Sequence, residues 1–111
     1  MSFNIETIDE FERELKRLSK KYPSIKDDYE NLLYSLIDNP CQGIPLGKDC
    51  YKIRMAISSK NQGKSGGARV VTCVKIVDEK IYLIAIFDKS EMENISDSEL
   101  NDRLDNIDGF L

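Results

Sequence analysis

The chain has 111 residues, of which 41% are apolar and 32% charged, and we expect residues 1–111 to form one domain. It contains no histidine, which excludes Ser–His and Cys–His catalytic pairs and the commonest metal ligand, and we expect no cofactor or metal. It also lacks both an apolar run long enough to span a membrane and the basic, apolar start of a signal peptide, so we expect a cytoplasmic protein that does not bind membranes.

Two helices are predicted in the N-terminal third of the chain. Apolar residues recur at helical spacing between positions 8 and 22, after a Thr7-x-x-Glu10 capping box. Pro23 breaks this helix. A second apolar stripe covers residues 25–37 behind a similar Ser24-x-x-Asp27 signal. The tight connection between them predicts a helical hairpin.

Strands are predicted in the rest of the chain, after a loop at residues 41–49. Alternating or continuous apolar residues predict strands at 50–57, 69–77 and 81–87, and the N-terminal segment 2–6 is a candidate edge strand. The expected core positions of the first two strands are Tyr51, Ile53, Met55, Ile57, Val70, Thr72, Val74 and Ile76. We therefore predict an α+β fold in which the helical hairpin packs on one face of a twisted, mostly antiparallel sheet of about four strands, leaving the other face free for binding.

The last segment, residues 91–108, is acidic. Ser96-x-x-Glu99 predicts the cap of a short helix whose apolar positions are Leu100, Leu104 and Ile107. Because acidic side chains repel phosphates, we expect this tail to lie away from any phosphate-binding surface.

The three cysteines are odd in number and show no CxxC spacing. Free thiols in a reducing compartment are the simplest interpretation. Cys50 and Cys73 fall within predicted strands, where a packing role is expected.

Positive charge is concentrated in residues 48–69, which hold six basic side chains and one acidic one in a chain of net charge −4. Strand alternation directs Lys52 and Arg54 together to the open face, and Arg69 begins the neighbouring strand. Two interpretations stay open from charge alone: a phosphate-binding surface, or a solvated, flexible loop.

In the order of several short motifs, the chain resembles the RelE/HigB-like toxins of bacterial type II toxin–antitoxin modules, within the RelE/ParE superfamily. The motifs are Pro45-Leu46-Gly47, Cys50-Tyr51-Lys52-Ile53-Arg54, Gly63-Lys64-Ser65-Gly66-Gly67-Ala68-Arg69-Val70-Val71, Tyr82-Leu83 and Phe87-Asp88-Lys89-Ser90-Glu91. The resemblance covers nearly the whole chain in order and implies a RelE-like fold.

The resemblance further implies a small endoribonuclease, an mRNA interferase that cuts messenger RNA in the ribosomal A site and so inhibits translation. Such enzymes need no metal, and cationic side chains stabilise the transition state. The resemblance makes Lys52, Arg54 and Arg69 candidate catalytic residues, and it matches Lys64 and Lys89 to basic positions of the family. Lys60, on the same loop as Lys64, is a further candidate for RNA binding.

The implied partners are a cognate antitoxin, the ribosome with its mRNA, and operator DNA through the antitoxin complex. Two alternatives remain: a ParE-like toxin that binds DNA gyrase without nuclease activity, and a catalytically weak member that acts mainly by binding antitoxin and operator. Some relatives carry an arginine and a tyrosine in the C-terminal segment, where this chain has Ser90 and Ser96.

Overall fold

The computed structural model describes residues 3–60, 63–64 and 66–107. Ser2, Ser65 and Asp108, which belong to the predicted edge strand, the glycine-rich motif and the acidic tail, lie outside the described residues. Within the described ranges, no helix is long and apolar enough to cross a membrane.

The predicted helical hairpin is confirmed. Helix α1 spans Asp9–Lys21 and helix α2 spans Ile25–Asp38. Each buries one apolar stripe against the sheet; the fully or nearly fully buried positions are Phe11, Leu18, Ile25, Leu32 and Leu36. The rings of Phe11 and Tyr29 contact each other between the helices, with centroids 5.7 Å apart.

The helix caps differ from the sequence prediction at two of three places. The N-cap of α1 is Ile8, and the Thr7 hydroxyl instead donates to the Glu12 carboxylate. Ser24 is the N-cap of α2, but its hydroxyl donates to Asp28 rather than capping a backbone amide of the helix. The Ser96 hydroxyl does accept from the Glu99 amide, at 3.1 Å, so only the third box is confirmed.

Within the described residues, the sheet has five strands in the spatial order β1-β5-β4-β3-β2. They are β1 (Asn4–Thr7), β2 (Ile44–Gly47), β3 (Cys50–Met55), β4 (Ala68–Lys75) and β5 (Lys80–Asp88). All neighbours are antiparallel except β1, which is parallel to β5. The α+β class and the edge strand at the N-terminus are thereby confirmed.

Two strand predictions are wrong. Residues 41–49 were expected to be a loop, but Ile44–Gly47 pairs with β3, because Gly43 and Gly47 at φ +105° and +87° turn the chain at either end of this short strand. Ile76, an expected core residue, is 61% exposed because β4 ends at Lys75 and Ile76 belongs to the following turn.

The face opposite the helical hairpin is not left free. A third helix, α3 (Asp97–Asp105), covers part of it and buries Leu100 and Leu104. These side chains join a second apolar cluster built from Cys50, Val71, Cys73, Tyr82, Ile84, Ala85 and Phe87. The register between β4 and β5 shifts after Val71, which brings consecutive β5 residues, Ile84 and Ala85, into the same cluster.

An ion pair completes the edge of β5 where β1 has ended. Thr7 pairs with Leu83, and beyond that point the Ile84 carbonyl accepts from Arg103 at 3.0 Å. The Ile86 amide donates to Glu14 at 3.3 Å, and Arg103 Nη1 lies 2.9 Å from Glu14 Oε1. Burial opposes the charge of Arg103, but hydrogen bonds to Glu14 and to Glu99 raise the pKa of Arg103 overall. The pair thus replaces the ladder hydrogen bonds of a missing strand.

Candidate phosphate-binding site

The candidate catalytic residues lie on one face of the β3–β4 hairpin. Arg54 is the direct register partner of Arg69, and Lys52 is the partner of Val71. Directly opposite residues in an antiparallel pair point to the same side, and Val71 belongs to the cluster beneath α3. The predicted convergence of Lys52, Arg54 and Arg69 on one face therefore agrees with the register.

Arg69 is not solvent-accessible, contrary to the sequence prediction. It is 4% exposed, and its Nη1 donates to the carbonyls of Lys64 and Ala68 at 3.0 and 3.1 Å. Burial and the neighbouring charge of Arg54 both lower the pKa of Arg69. Its register partner on β5, Phe87, is also buried, at 3% exposure.

Lys52 and Arg54 remain partly or fully exposed. Lys52 is half-buried and its ammonium donates to the side-chain carbonyl of Asn94, whereas Arg54 is exposed. Asn94 belongs to the segment that leads into α3. The expectation that the tail lies away from the basic face is therefore wrong, because α3 packs on this side of the sheet.

Two acidic side chains of the tail nevertheless form ion pairs away from the candidate site. Glu91 pairs with Arg17 at 3.2 Å and with Lys21 at 3.7 Å, both on α1. Glu99 pairs with Arg103 at 2.9 Å within α3. Leu100 and Leu104 are buried as predicted, and Ile107 packs partly buried against the same cluster.

Lys60 lies on the opposite side of the sheet from Lys52. It ends a short 3-10 helix, Ser58–Lys60, and its ammonium is 3.1 Å from the carboxylate of Asp88 and 5.3 Å from the ring centroid of Tyr22. Its side chain is only 12% exposed. Contact with RNA would require this ammonium to leave a buried carboxylate, so the position argues against the predicted role, which itself stays untested.

Asp88 is the residue that sequence reasoning missed. Its side chain is fully buried and accepts hydrogen bonds from the Tyr22 hydroxyl, the Lys60 ammonium, and the amide and hydroxyl of Ser90. Burial acts to raise the pKa of Asp88, but these hydrogen bonds outweigh it and hold the pKa well below its usual range. Asp88 joins α1, the 58–60 turn and the turn after β5. Its position at the end of an apolar strand was the available signal.

The two remaining candidates, Lys64 and Lys89, are both exposed and lie near the N-terminal end of β4. The Lys89 amide donates to the Gly67 carbonyl at 3.1 Å. Gly67 itself sits where a Cβ would be 2.3 Å from the Met55 carbonyl oxygen, so only glycine fits at this crossing. A cavity of about 280 Å³ between α2 and the end of β3 has Arg54 and Lys64 in its lining.

The described ranges contain no group of three or more Cys, Asp or Glu side chains placed to hold a metal ion.

The fold is that of a class of bacterial toxins. A free double arginine-to-alanine mutant of Escherichia coli RelE is 20% identical, with 84% of this chain and 90% of that chain covered and a TM-score of 0.59. The toxin in the intact E. coli RelBE toxin–antitoxin complex is 17% identical, with 79% and 96% covered and a TM-score of 0.57. Isolated E. coli RelE is 21% identical, with 94% and 99% covered and a TM-score of 0.55.

No curated protein matches the chain in sequence. The sequence profile described as "RelE toxin of RelE / RelB toxin-antitoxin system" does match, over residues 12–106. The chain belongs to this RelE toxin family. It is a toxin of a type II toxin–antitoxin system, and the expectation of a RelE-like fold is confirmed.

Proposed function

We propose that the protein is a ribosome-dependent endoribonuclease whose site is the Lys52, Arg54 and Arg69 face of the β3–β4 hairpin. The observation that carries the proposal is the register of Arg54 directly opposite Arg69. Like charges placed opposite each other across two strands are destabilising. A surface that keeps such a pair is suited to an anion that neutralises it.

The chemistry that fits this surface is attack of an RNA 2′-hydroxyl on the adjacent phosphorus. The bond from phosphorus to the 5′-oxygen breaks, which leaves a 2′,3′-cyclic phosphate and a free 5′-hydroxyl. Negative charge grows on the phosphoryl oxygens in the transition state, where fixed cations stabilise it most. Arg54 and Lys52 would contact the phosphate. The positive charge of buried Arg69 would attract the phosphate without contact, and its guanidinium would hold the Lys64 carbonyl in place.

We assign proton transfer to the lysines or to ribosomal groups; the chain has no histidine. Lys52 is adjacent to Arg54 on the same face, and exposed Lys64 and Lys89 lie at the nearby end of β4. Ser90 donates to Asp88 and Ser96 caps α3, so neither takes part in our mechanism.

The test is cleavage of ribosome-bound mRNA by purified protein, mapped by primer extension. Arg54→Ala should lower the cleavage rate by about 100-fold, the usual effect of removing one donor to a developing oxyanion. Lys20→Ala removes an exposed cation from the last turn of α1 and should cleave like wild type. Equal cleavage by wild type and Arg54→Ala would remove Arg54 from the mechanism.

Arg69→Ala is a less clean test than the sequence suggested, because it removes a buried side chain that binds two carbonyls. It should lower both cleavage and thermal stability. An absence of cleavage by wild-type protein would favour the alternatives: gyrase inhibition would indicate a ParE-like toxin, and antitoxin binding alone would indicate a weak member.

We also propose that a RelB-like antitoxin neutralises the protein, and that operator DNA is bound only through their complex. The E. coli relative has been described in complex with RelB. On this chain, Tyr34 and Ile37 are 64% and 49% exposed and line a cavity of about 350 Å³ beside β1. An apolar groove of this kind suits a peptide partner.

Co-expression with the neighbouring small gene should rescue growth and yield a complex that co-purifies. Tyr34→Ala combined with Ile37→Ala should weaken co-purification. Val77→Ala, at a turn residue that is 97% exposed, is the matched control and should not weaken it. If no adjacent gene product binds or rescues, the partner proposal fails.

A further inference from the structure

Two cysteines face each other across the hairpin that carries the basic face. Cys50 on β3 is the register partner of Cys73 on β4, and the two residues are 1% and 0% exposed. The Val74 amide donates to the Asp49 carbonyl at 2.9 Å, next to this pair. Hydrogen-bonded and non-hydrogen-bonded pairs alternate along an antiparallel ladder. Cys50 and Cys73 therefore form a non-hydrogen-bonded pair, in which side chains lie closest.

The thiols converge on one point. Cys50 Sγ and Cys73 Sγ both donate to the Lys48 carbonyl, at 3.5 and 3.7 Å. Opposite residues of a non-hydrogen-bonded pair have Cα atoms about 4.5 Å apart. A disulfide accepts Cα separations of about 4.4–6.8 Å. The strands are thus already placed for a cross-link without a change of register.

We propose that Cys50 and Cys73 form a thiol–disulfide exchange site that reacts with small disulfides such as oxidised glutathione. The Cys50 thiolate attacks one sulfur of the small disulfide, forms a mixed disulfide and releases one thiol. The Cys73 thiol then passes its proton to the leaving sulfur and attacks Cys50 Sγ, which closes the cross-strand disulfide and releases the second thiol. One small disulfide is reduced to two thiols, and the two cysteines lose two protons and two electrons.

The environment gives the two sulfurs different roles. A hydrogen bond with Cys73 lowers the pKa of the Cys50 thiol, and the same interaction, with burial, raises the pKa of Cys73. Cys50 is therefore the attacking sulfur and Cys73 the resolving one. Leu100 and Leu104 of α3 lie in the same cluster as both cysteines, so the reagent reaches Cys50 when α3 opens locally.

The cross-link would enclose most of the candidate site. Residues 51–72 lie between the two cysteines and include Lys52, Arg54, Lys64 and Arg69. A disulfide here would close residues 50–73 into a covalent ring. The inference does not depend on nuclease activity, because its readouts are covalent state and stability.

The experiment uses the full chain carrying Cys41→Ser, which removes the exposed third thiol. After incubation with oxidised glutathione at pH 8, the intact mass should fall by two hydrogen atoms and peptide mapping should join Cys50 to Cys73. The Tm should rise by roughly 10 °C, as expected for a loop of this length. Added dithiothreitol should reverse both changes.

Cys41→Ser with Cys73→Ala should instead retain one glutathione on Cys50, since the resolving sulfur is gone. Circular dichroism checks that each variant is folded. Leu104→Ala should react several-fold faster because it loosens the cover of α3. The proposal is overturned if the dithiol protein gains no internal disulfide, or if glutathione stays on Cys50 with Cys73 present. An unchanged rate in folded Leu104→Ala overturns the route of access beneath α3.

Discussion

Replacing Asp88 by Asn should be among the most destabilising single changes in this chain. The Asp88 carboxylate is fully buried and accepts from Lys60 at 3.1 Å, from the Ser90 amide and hydroxyl at 2.9 and 2.8 Å, and from the Tyr22 hydroxyl. Asparagine replaces one carboxylate oxygen with an NH2 group, so a donor faces another donor there. It also leaves the Lys60 ammonium without a carboxylate. Breaking a buried pair of this kind costs about 3–5 kcal/mol. Asp88→Asn should lower the free energy of unfolding by that amount, and the Tm by roughly 10–20 °C.

The same carboxylate should also determine how steeply the free energy of unfolding falls at acid pH. Hydrogen bonds outweigh burial and hold the folded pKa of Asp88 below the value of about 3.9 for an unfolded aspartate. Its stabilisation is therefore fully present above the unfolded pKa and is lost as the pH falls through the folded pKa. From about pH 4 down towards the folded pKa, wild type should therefore lose stability more steeply than Asp88→Asn.

Urea denaturation followed by circular dichroism at several pH values measures both effects. Asp102→Asn, on the exposed face of α3, is the matched control and should change stability by less than about 0.5 kcal/mol. The reasoning is refuted if Asp88→Asn is as stable as this control at pH 7. It is equally refuted if the acid limbs of wild type and Asp88→Asn have the same slope.

Three other changes test the fold around the site. Arg103→Ala should lower the free energy of unfolding by about 3 kcal/mol, because it removes the ion-pair partner of Glu14 and the donor to the Ile84 carbonyl. A double-mutant cycle with Glu14→Gln should give a coupling energy above about 1 kcal/mol. Gly67→Ala should cost about 3 kcal/mol in a urea titration, since its Cβ would overlap the neighbouring strand's carbonyl; a loss below about 0.5 kcal/mol would contradict that crossing. Val77→Lys, at a fully exposed turn, should leave the urea midpoint unchanged and improve solubility.

Sequence alternation was sufficient to place Lys52 and Arg54 on one face, because that inference needs only the pleat of a single strand. It failed for the exposure of Arg69, which depends on contacts outside the strand: its side chain binds the Lys64 carbonyl in the preceding loop and lies beside Phe87 of β5. The predicted exposure of Lys60 failed for a similar reason, since its partner Asp88 lies at the end of β5. Direction is a local property, whereas burial and ion pairing are set by distant segments.

The missed strand β2 has a different cause. Gly43, Pro45 and Gly47 are residues that favour turns, and all three fall within or beside four residues of strand. Pro45 is tolerated because β2 is the edge of the sheet, where one side of the backbone has no partner strand. Short edge strands of this composition cannot be told from loops by periodicity.

The parallel pairing of β1 with β5 also sets how the chain must fold. Asn4 lies opposite Lys80, so β1 cannot pair with β5 until the two ends of a stretch of about 75 residues meet. Closing a loop of this length costs roughly 4 kcal/mol of chain entropy. The α1–α2 and β3–β4 hairpins need only local contacts and can form earlier. Refolding should therefore be slower than that of a helical bundle of equal length, with the joining of β1 and α1 to β5 as the late step.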